Sequence, residues 1–241
     1  MTHITYKLIL NYHIMFRILK PFIVGKLYTI ADLNTSQNAL SLIDIKQKIP
    51  ILIIDDEEFI YKETLRDDKY NITCVRNIED LCAVSEYPIV ICDIKGVGTH
   101  FSKEKEGAYV VRELKKKYPF KQIAVYSGSD YKLESLNDLD GISRIKKDSD
   151  IEMWRSYFDE LIRRASDPKE NWKSIRDYLI SKEVSLKEVT FLESHYVDIY
   201  NNHPERMKYF PDEKEFPKLS SDIRAIIQSM IAGGLLHLLG V

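Results

Sequence analysis

The sequence predicts an α/β fold in which a doubly wound, five-stranded parallel sheet over residues 48–165 precedes an all-helical extension over residues 169–241. Three observations support this prediction. Short, almost continuous apolar runs such as Ile51–Ile54 alternate with amphipathic segments, a pattern typical of buried parallel strands joined by helices. The sequence Ser166-Asp167-Pro168 then breaks the chain. Beyond it, the apolar residues recur at helical spacing.

The elements of the sheet domain follow one another in a regular order. The helix at Gly107–Lys117 is the clearest, because Tyr109, Val110 and Leu114 share one face and lysines crowd its end, where cations offset the helix dipole. The predicted strands are Ile51–Ile54, Asn71–Val75, Pro88–Cys92, Gln122–Tyr126 and Ile142–Ile145, and the predicted helices are Phe59–Leu65, Ile78–Ser85, Gly107–Lys117, Tyr131–Leu136 and Ile151–Ala165.

The extension is predicted to contain three helices. The first is Trp172–Ile180, and the second begins at Ser185, which forms a capping-box pattern with Glu188. A proline-containing loop over residues 202–219 precedes the last helix, Ser221–Leu239.

Residues 1–47 form an apolar and basic N-terminal extension that the pattern does not assign to one structure. Tyr6–Leu19 fits an amphipathic helix or a strand, since short apolar runs do not distinguish the two. Such a segment can lie on a membrane surface. Packing against the rest of the chain or against a second copy is the favoured interpretation.

Composition and charge limit the partners. The net charge is −2, and residues 168–241 carry 10 Lys and Arg against 11 Asp and Glu, so the extension lacks the basic surplus of a nucleic-acid-binding domain. No apolar run approaches the roughly 20 residues of a membrane span. Cys74, Cys82 and Cys92 lack metal-binding spacing and are expected to be thiols in a reducing compartment, which favours a cytoplasmic location.

Polar residues of particular kinds stand where four predicted strands end. The first strand ends in Asp55 and Asp56, the third in Asp93, the fourth in Ser127, and the fifth at Lys147 with Lys146 beside it. Parallel strands end at one edge of a sheet, and sites in such sheets lie beyond that edge. The side chains are therefore expected to converge.

Crowded carboxylates repel one another, and a divalent cation relieves that repulsion. Oxygen ligands suit Mg²⁺, which would also offset the charge of an incoming phosphoryl group. Asp93 could then act as a nucleophile and form an aspartyl-phosphate. Lys147 would neutralise one phosphoryl oxygen, and the Ser127 hydroxyl would donate a hydrogen bond to another.

These residues, in the contexts ILIIDDEE, IVICDIKG, AVYSGS and SRIKKD, resemble the receiver domain of two-component response regulators, which has a flavodoxin-like fold. The resemblance covers about half of the chain. It implies that Asp55 and Asp56 are the acidic pair, that Asp93 is the phosphoacceptor, and that the backbone carbonyl of Lys95 ligates the metal. It also implies that Ser127 is the family's hydroxyl residue and Lys147 its lysine.

The chain departs from the family pattern in several places. Asp148 replaces the proline that usually follows the lysine, so Lys146 remains an alternative to Lys147. Arg144 stands where the family has an aromatic switch residue, which puts the usual signal route in doubt. The loop after Asp93 is longer than usual, and the helix after Ser127 is short.

Two functions are compatible with this sequence. In the first, a histidine kinase or phosphotransfer protein phosphorylates Asp93 in a phosphorelay, and the helical extension passes the change to a protein partner. In the second, the domain is a pseudo-receiver scaffold that binds a partner or a second copy without phosphorylation. A homo-oligomer is expected in either case. A phosphoester hydrolase ranks last, because Lys95 occupies the position of its acid/base aspartate, and enzyme activity is not favoured.

Overall fold

The computed structural model describes residues 26–35, 41–128, 139, 142–232 and 235–239. The strands are β1 (Pro50–Ile54), β2 (Asn71–Val75), β3 (Ile89–Asp93), β4 (Gln122–Ser127) and β5 (Ser143–Lys146). The helices of the described residues are α1 (Leu42–Lys48), α2 (Lys62–Asp67), α3 (Glu106–Lys117), α4 (Ile151–Ser166), α5 (Pro168–Ser181), α6 (Leu186–Asn202), α7 (Ser221–Ala232) and α8 (Leu235–Leu239). Short 3₁₀ turns lie at Ile30–Asp32, Leu81–Val84 and Pro204–Tyr209.

The five strands form one parallel sheet in the order β2-β1-β3-β4-β5. This confirms the predicted flavodoxin-like, doubly wound fold with a helical C-terminal region. The chain turns back across the sheet between β1 and β3, and in open α/β sheets this switch point is where sites form. We call the side on which the strands end the carboxyl edge and the side on which they begin the amino edge.

Side chains alternate between the two faces of the sheet, as the strand period requires. On β1, Ile51 and Ile53 face a core shared with α4, and Leu52 and Ile54 face a core shared with α3. Both faces are covered by helices, which explains why the central strands are apolar throughout.

Three predicted helices differ in the structure. The helix predicted at Ile78–Ser85 is wrong in extent, because only the 3₁₀ turn Leu81–Val84 forms. The Asp80 carboxylate caps this turn by accepting a hydrogen bond from the Cys82 N–H at 2.8 Å. The helix predicted from Phe59 begins only at Lys62, because Phe59 is buried in the preceding turn. α7 and α8 cover the predicted last helix, and the glycines between them, like the predicted helix Tyr131–Leu136, lie outside the described residues.

The helical region has its own core, in which α5 packs against α6 and α7. Hydrogen bonds attach the described segment 26–35 to α6, among them one that the Asn201 side chain donates to the backbone carbonyl of Asp32 at 2.9 Å. The N–H groups of Tyr28, Ile30 and Asn34 donate to side chains of α6, namely Ser194 (3.0 Å), Glu193 (2.9 Å) and Asn201 (2.8 Å). This part of the N-terminal extension therefore packs on the chain itself.

The helical region lies against the amino edge of the sheet. The rings of Phe120, just before β4, and Tyr178 of α5 are 5.9 Å apart. Asn171 of α5 donates to the carbonyl of Ala165 in α4 at 3.1 Å. In the described ranges, we find no helix with both the length and the apolar character that a bilayer crossing requires.

Candidate functional site

The three predicted acids meet at the carboxyl edge. Asp55 and Asp56 follow β1 and Asp93 ends β3, and these strands are hydrogen-bonded neighbours with Ile54 beside Cys92. One carboxylate oxygen of each acid lies within 4.8 Å of the others. Asp55 and Asp93 are buried, with 3% and 4% of their surface exposed, whereas Asp56 is exposed. The site thus has two acids in the protein interior and one open to solvent.

Lys147 is the lysine that reaches these acids. Its Nζ lies 2.9 Å from Asp93 Oδ2, 3.3 Å from Asp55 Oδ1 and 3.0 Å from Glu57 Oε2. Lys146 belongs to β5, pairs with Ser127 and is exposed. The structure therefore places Lys147, and not Lys146, at the carboxylates.

Charge and burial work against each other at Asp93. Burial raises the pKa of the Asp93 carboxyl, and the charge of Asp55 raises it further, whereas the hydrogen bond and charge of Lys147 lower it. Burial lowers the pKa of Lys147, but its hydrogen bonds to Asp93 and Glu57 outweigh burial, so that the pKa of Lys147 is raised. One ammonium group thus partly compensates two buried carboxylates.

The loop after β3 comes very close to the acids. The Lys95 N–H donates to Asp93 Oδ1 at 3.3 Å. Gly96 has a φ of +78°, and a Cβ at this position would lie 2.1 Å from Asp56 Oδ2. The Gly96 N–H donates to the Glu106 carboxylate at 2.9 Å, which fixes the loop to the start of α3. Glycine is therefore the residue best suited to this position, both for its backbone conformation and for space.

Ser127 ends β4 next to the lysine. Its backbone carbonyl accepts from the Lys147 N–H at 2.9 Å, so the pairing of β4 with β5 positions the lysine. The side chain of Ser127 is half-buried. Arg144, at the position of the expected aromatic switch residue, donates to the carbonyl of Leu139 at 3.4 Å.

Sequence reasoning missed three participants. The hydroxyl of Tyr126 donates to Asp55 Oδ2 in a short contact, and its ring lies 5.5 Å from Lys147 Nζ. Glu57 shares the lysine, and Glu106 anchors the loop. Tyr126 could have been suspected, because it is a phenol in an otherwise aliphatic strand directly before Ser127. Nothing in the local sequence distinguishes Glu106 from other surface glutamates.

The donor set fits a hard divalent cation. The cluster offers only carboxylate oxygens, from Asp55, Asp56 and Asp93, and neither histidine nor thiol is part of it. Oxygen donors with few carboxylates are the set that Mg²⁺ prefers, with water completing its coordination. The residues present therefore suit Mg²⁺ better than a softer metal.

Comparison with known proteins gives similarity at the level of structure only. No protein-family model matches the chain, and no curated protein matches it. A response regulator from Thermotoga maritima matches with 15% identity and a TM-score of 0.38, covering 48% of this chain and 98% of that one. Full-length FixJ from B. japonicum matches with 14% identity and a TM-score of 0.39, covering 80% of this chain and 95% of that one.

Both of these solved structures are response regulators, and the likeness to them concerns the fold alone. The parallel sheet in the order β2-β1-β3-β4-β5 fits a receiver fold, and the chain has an acidic cluster where β1 and β3 end and a lysine after β5.

Proposed function

We propose that the chain is a response-regulator-like signalling protein that accepts a phosphoryl group on Asp93. The observation that carries this proposal is the convergence of Asp55, Asp56 and Asp93 within 4.8 Å, with Lys147 Nζ 2.9 Å from Asp93 Oδ2. Asp93 is a buried carboxylate that is repelled by the neighbouring carboxylates and stabilised by Lys147. Such a carboxylate is suited to exchange its lysine partner for a cation and a phosphoryl group.

Asp55, Asp56, Asp93 and the backbone carbonyl of Lys95 are the proposed ligands of Mg²⁺. Bound Mg²⁺ would offset the negative charge of the transferring phosphoryl group. A carboxylate oxygen of Asp93 attacks phosphorus, a new O–P bond forms, and the bond from phosphorus to the donor atom breaks, leaving the electron pair with the donor. Lys147 turns from the Asp93 carboxylate to a phosphoryl oxygen, and the Ser127 hydroxyl donates to another.

The proposed donor is a histidine kinase or a phosphotransfer protein, and the proposed output is a protein partner bound by residues 169–241. The balance of charge in this region favours a protein over a nucleic acid. Segment 26–35 packs on α6, so the output region would include described residues from both ends of the chain.

The test is incubation of the full chain with Mg²⁺ and a small phosphodonor such as acetyl phosphate, followed by intact mass measurement. The expected product carries one phosphoryl group that base removes and acid does not. Asp93→Asn should lose the adduct, because an amide oxygen is a poor nucleophile. Asp67→Asn, which changes an exposed aspartate at the end of α2, is the matched control and should keep it.

Two results would refute the proposal. One is no adduct on the unaltered chain at any Mg²⁺ concentration. The other is an adduct that persists unchanged in Asp93→Asn, which would mean that another residue carries it.

The competing proposal is a pseudo-receiver scaffold, and one observation favours it. Lys147 contacts Asp55, Glu57 and Asp93 together, an arrangement that compensates the acids without a cation. A scaffold would bind a partner or a second copy through its helical region. Under this proposal, removal of residues 221–241 should change the oligomeric state measured by light scattering, and an unchanged state would remove its basis.

A further inference from the structure

Tyr126 connects the acidic site with an aromatic cluster beneath it. We define this cluster by its rings, Phe59, Tyr126, Trp154 and Phe158, which are buried between the sheet and α4. The centroid of the Tyr126 ring lies 6.2 Å from Phe59 and 5.6 Å from Trp154, both edge to face. This ring therefore cannot shift without moving neighbours that interiors hold at close packing.

The polar end of the same side chain reaches the acids. The Tyr126 hydroxyl donates to Asp55 Oδ2, whereas Asp55 Oδ1 accepts from the Glu57 N–H at 3.0 Å and from Lys147 at 3.3 Å. The phenol therefore occupies one oxygen of a buried carboxylate whose other oxygen points toward the lysine. Such a second partner fixes the orientation of a carboxylate that ligates a metal.

The aromatic cluster in turn leads to the helical region. Trp154 is fully buried in the first turn of α4, which begins just after Lys147. α4 has 16 residues and thus spans about 24 Å. At its far end, the carbonyl of Ala165 accepts from Asn171 of α5. α4 therefore contacts the aromatic cluster at one end and the helical region at the other. A change in the packing of Trp154 can reach the helical region through this helix.

We propose that Tyr126 is a positioning residue that orients Asp55 for the cation and transmits occupancy of the acidic site to the aromatic cluster on α4. This inference rests on the proposed function. With a cation held at Asp55, the hydrogen bond that the Tyr126 hydroxyl donates to this carboxylate would weaken, and the phenol and its ring would reposition. Among the described residues, the indole N–H of Trp154 is buried without a hydrogen-bond partner, and a repacked cluster can relieve this unfavourable state.

The experiment compares Tyr126→Phe with Tyr157→Phe in the full chain. Both changes remove one phenol oxygen from a side chain that packs edge to face on Trp154, but the Tyr157 hydroxyl donates to Ser143 at 2.9 Å, not to an acid. Mg²⁺ affinity is measured by calorimetry and tryptophan emission is followed in the same titration. A Trp154→Phe chain identifies the part of the emission change that belongs to Trp154, since the sequence has two tryptophans.

Tyr126→Phe is expected to weaken Mg²⁺ binding about tenfold, the lower end of the effects seen for partners of metal ligands. At saturating Mg²⁺ it should also lose most of the Trp154 emission change. Tyr157→Phe should keep the affinity and the emission change of the unaltered chain. Urea unfolding of both variants checks that the two substitutions cost similar folding stability, so that a general loss of structure does not account for the difference.

Three results would overturn the inference, and they are distinguishable. If the unaltered chain binds Mg²⁺ and Tyr126→Phe matches it in affinity and emission, the phenol has no positioning role, while the proposed function stands. If Tyr157→Phe shows the same losses, the effect is general to the aromatic cluster. If the unaltered chain takes up no Mg²⁺, the proposed metal site fails and this inference fails with it.

Discussion

The carboxyl and amino edges of the sheet both bury charged side chains, but they satisfy them in different ways. At the amino edge, Lys121 is 6% exposed, and its Nζ donates to the backbone carbonyls of Ser85 at 2.7 Å and Tyr87 at 2.8 Å. At the carboxyl edge, Asp55 and Asp93 share one lysine side chain with exposed Glu57. The backbone carbonyls that bind Lys121 are fixed, so this charge has a structural role. The lysine that binds Asp55 and Asp93 is a movable side chain, so these carboxylates can exchange it for another partner.

Burial shifts the pKa values of the charged groups at the two edges in opposite directions. It raises the pKa of Asp93 and lowers the pKa of Lys121 to about 8, because in both cases the charged form loses its hydration. A perturbed pKa therefore does not by itself mark a functional site. What separates the edges is the set of partners: carboxylates repel one another, and backbone carbonyls attract an ammonium.

The largest effect is expected in the helical region that covers the amino edge. Trp172 is 1% exposed, and its indole N–H donates to the buried Glu193 carboxylate at 2.9 Å. Trp172→Ala should lower the free energy of unfolding by about 3–5 kcal/mol, because it leaves a cavity and an unpaired buried acceptor. Urea unfolding followed by circular dichroism measures this loss.

Tyr209→Ala is the control for this substitution, since Tyr209 is 61% exposed, and it should change stability by about 0.5 kcal/mol or less. Mg²⁺ binding at the carboxyl edge should survive Trp172→Ala wherever the chain remains folded. Loss of Mg²⁺ binding in the folded variant would show that the two edges are not independent.

An intermediate effect is expected from the pH dependence of Lys121. Its folded-state pKa of about 8 lies below the ordinary value of about 10.4, so between these values the unfolded chain binds more protons and stability rises with pH. From about pH 7.5 to 9.5, the free energy of unfolding should rise by about 1–2 kcal/mol relative to Lys121→Met. Urea unfolding at a series of pH values measures the difference.

Exposed Lys116, which pairs with Glu113 on the surface of α3, supplies the control substitution Lys116→Met. The unaltered chain compared with this control should show no such rise, because a surface ion pair contributes little. A flat or falling difference for Lys121→Met would mean that Lys121 remains charged in the folded chain at this edge.

An effect of similar size on stability is expected at the carboxyl edge. Gly96→Ala places a residue with a Cβ at a φ of +78° and 2.1 Å from the Asp56 carboxylate. It should cost about 1–2 kcal/mol of stability, the usual penalty for a left-handed conformation. It should also weaken Mg²⁺ binding in calorimetry, because Asp56 has to move.

Gly128→Ala is the matched substitution at the same edge, since a Cβ on Gly128 would meet nothing within 4 Å. It should leave Mg²⁺ affinity unchanged. If both alanine variants bind Mg²⁺ as the unaltered chain does, Asp56 is not a ligand, and the proposed ligand set reduces to the two buried acids.

The sequence by itself determined the layers of the sheet domain and the identity of the acids. A fully apolar run such as Ile51–Ile54 belongs to a central parallel strand, because both of its faces are buried. A carboxylate directly after such a run lies at the carboxyl edge, and the right-handed connections of parallel strands bring Asp55 and Asp93 to the same edge. These rules depend on local pattern and chain direction, which a sequence carries.

Only the tertiary structure decided which side chains meet. Lys146 and Lys147 are adjacent residues of the same type, so the sequence does not distinguish them. The register of β5 against β4 places Lys147 in contact with the acids. Tyr126 reaches Asp55 across 71 positions of the sequence, and Ile30 reaches Glu193 across 163. Contacts over such separations depend on how layers pack and on which way each side chain points, and no local pattern in the sequence specifies either.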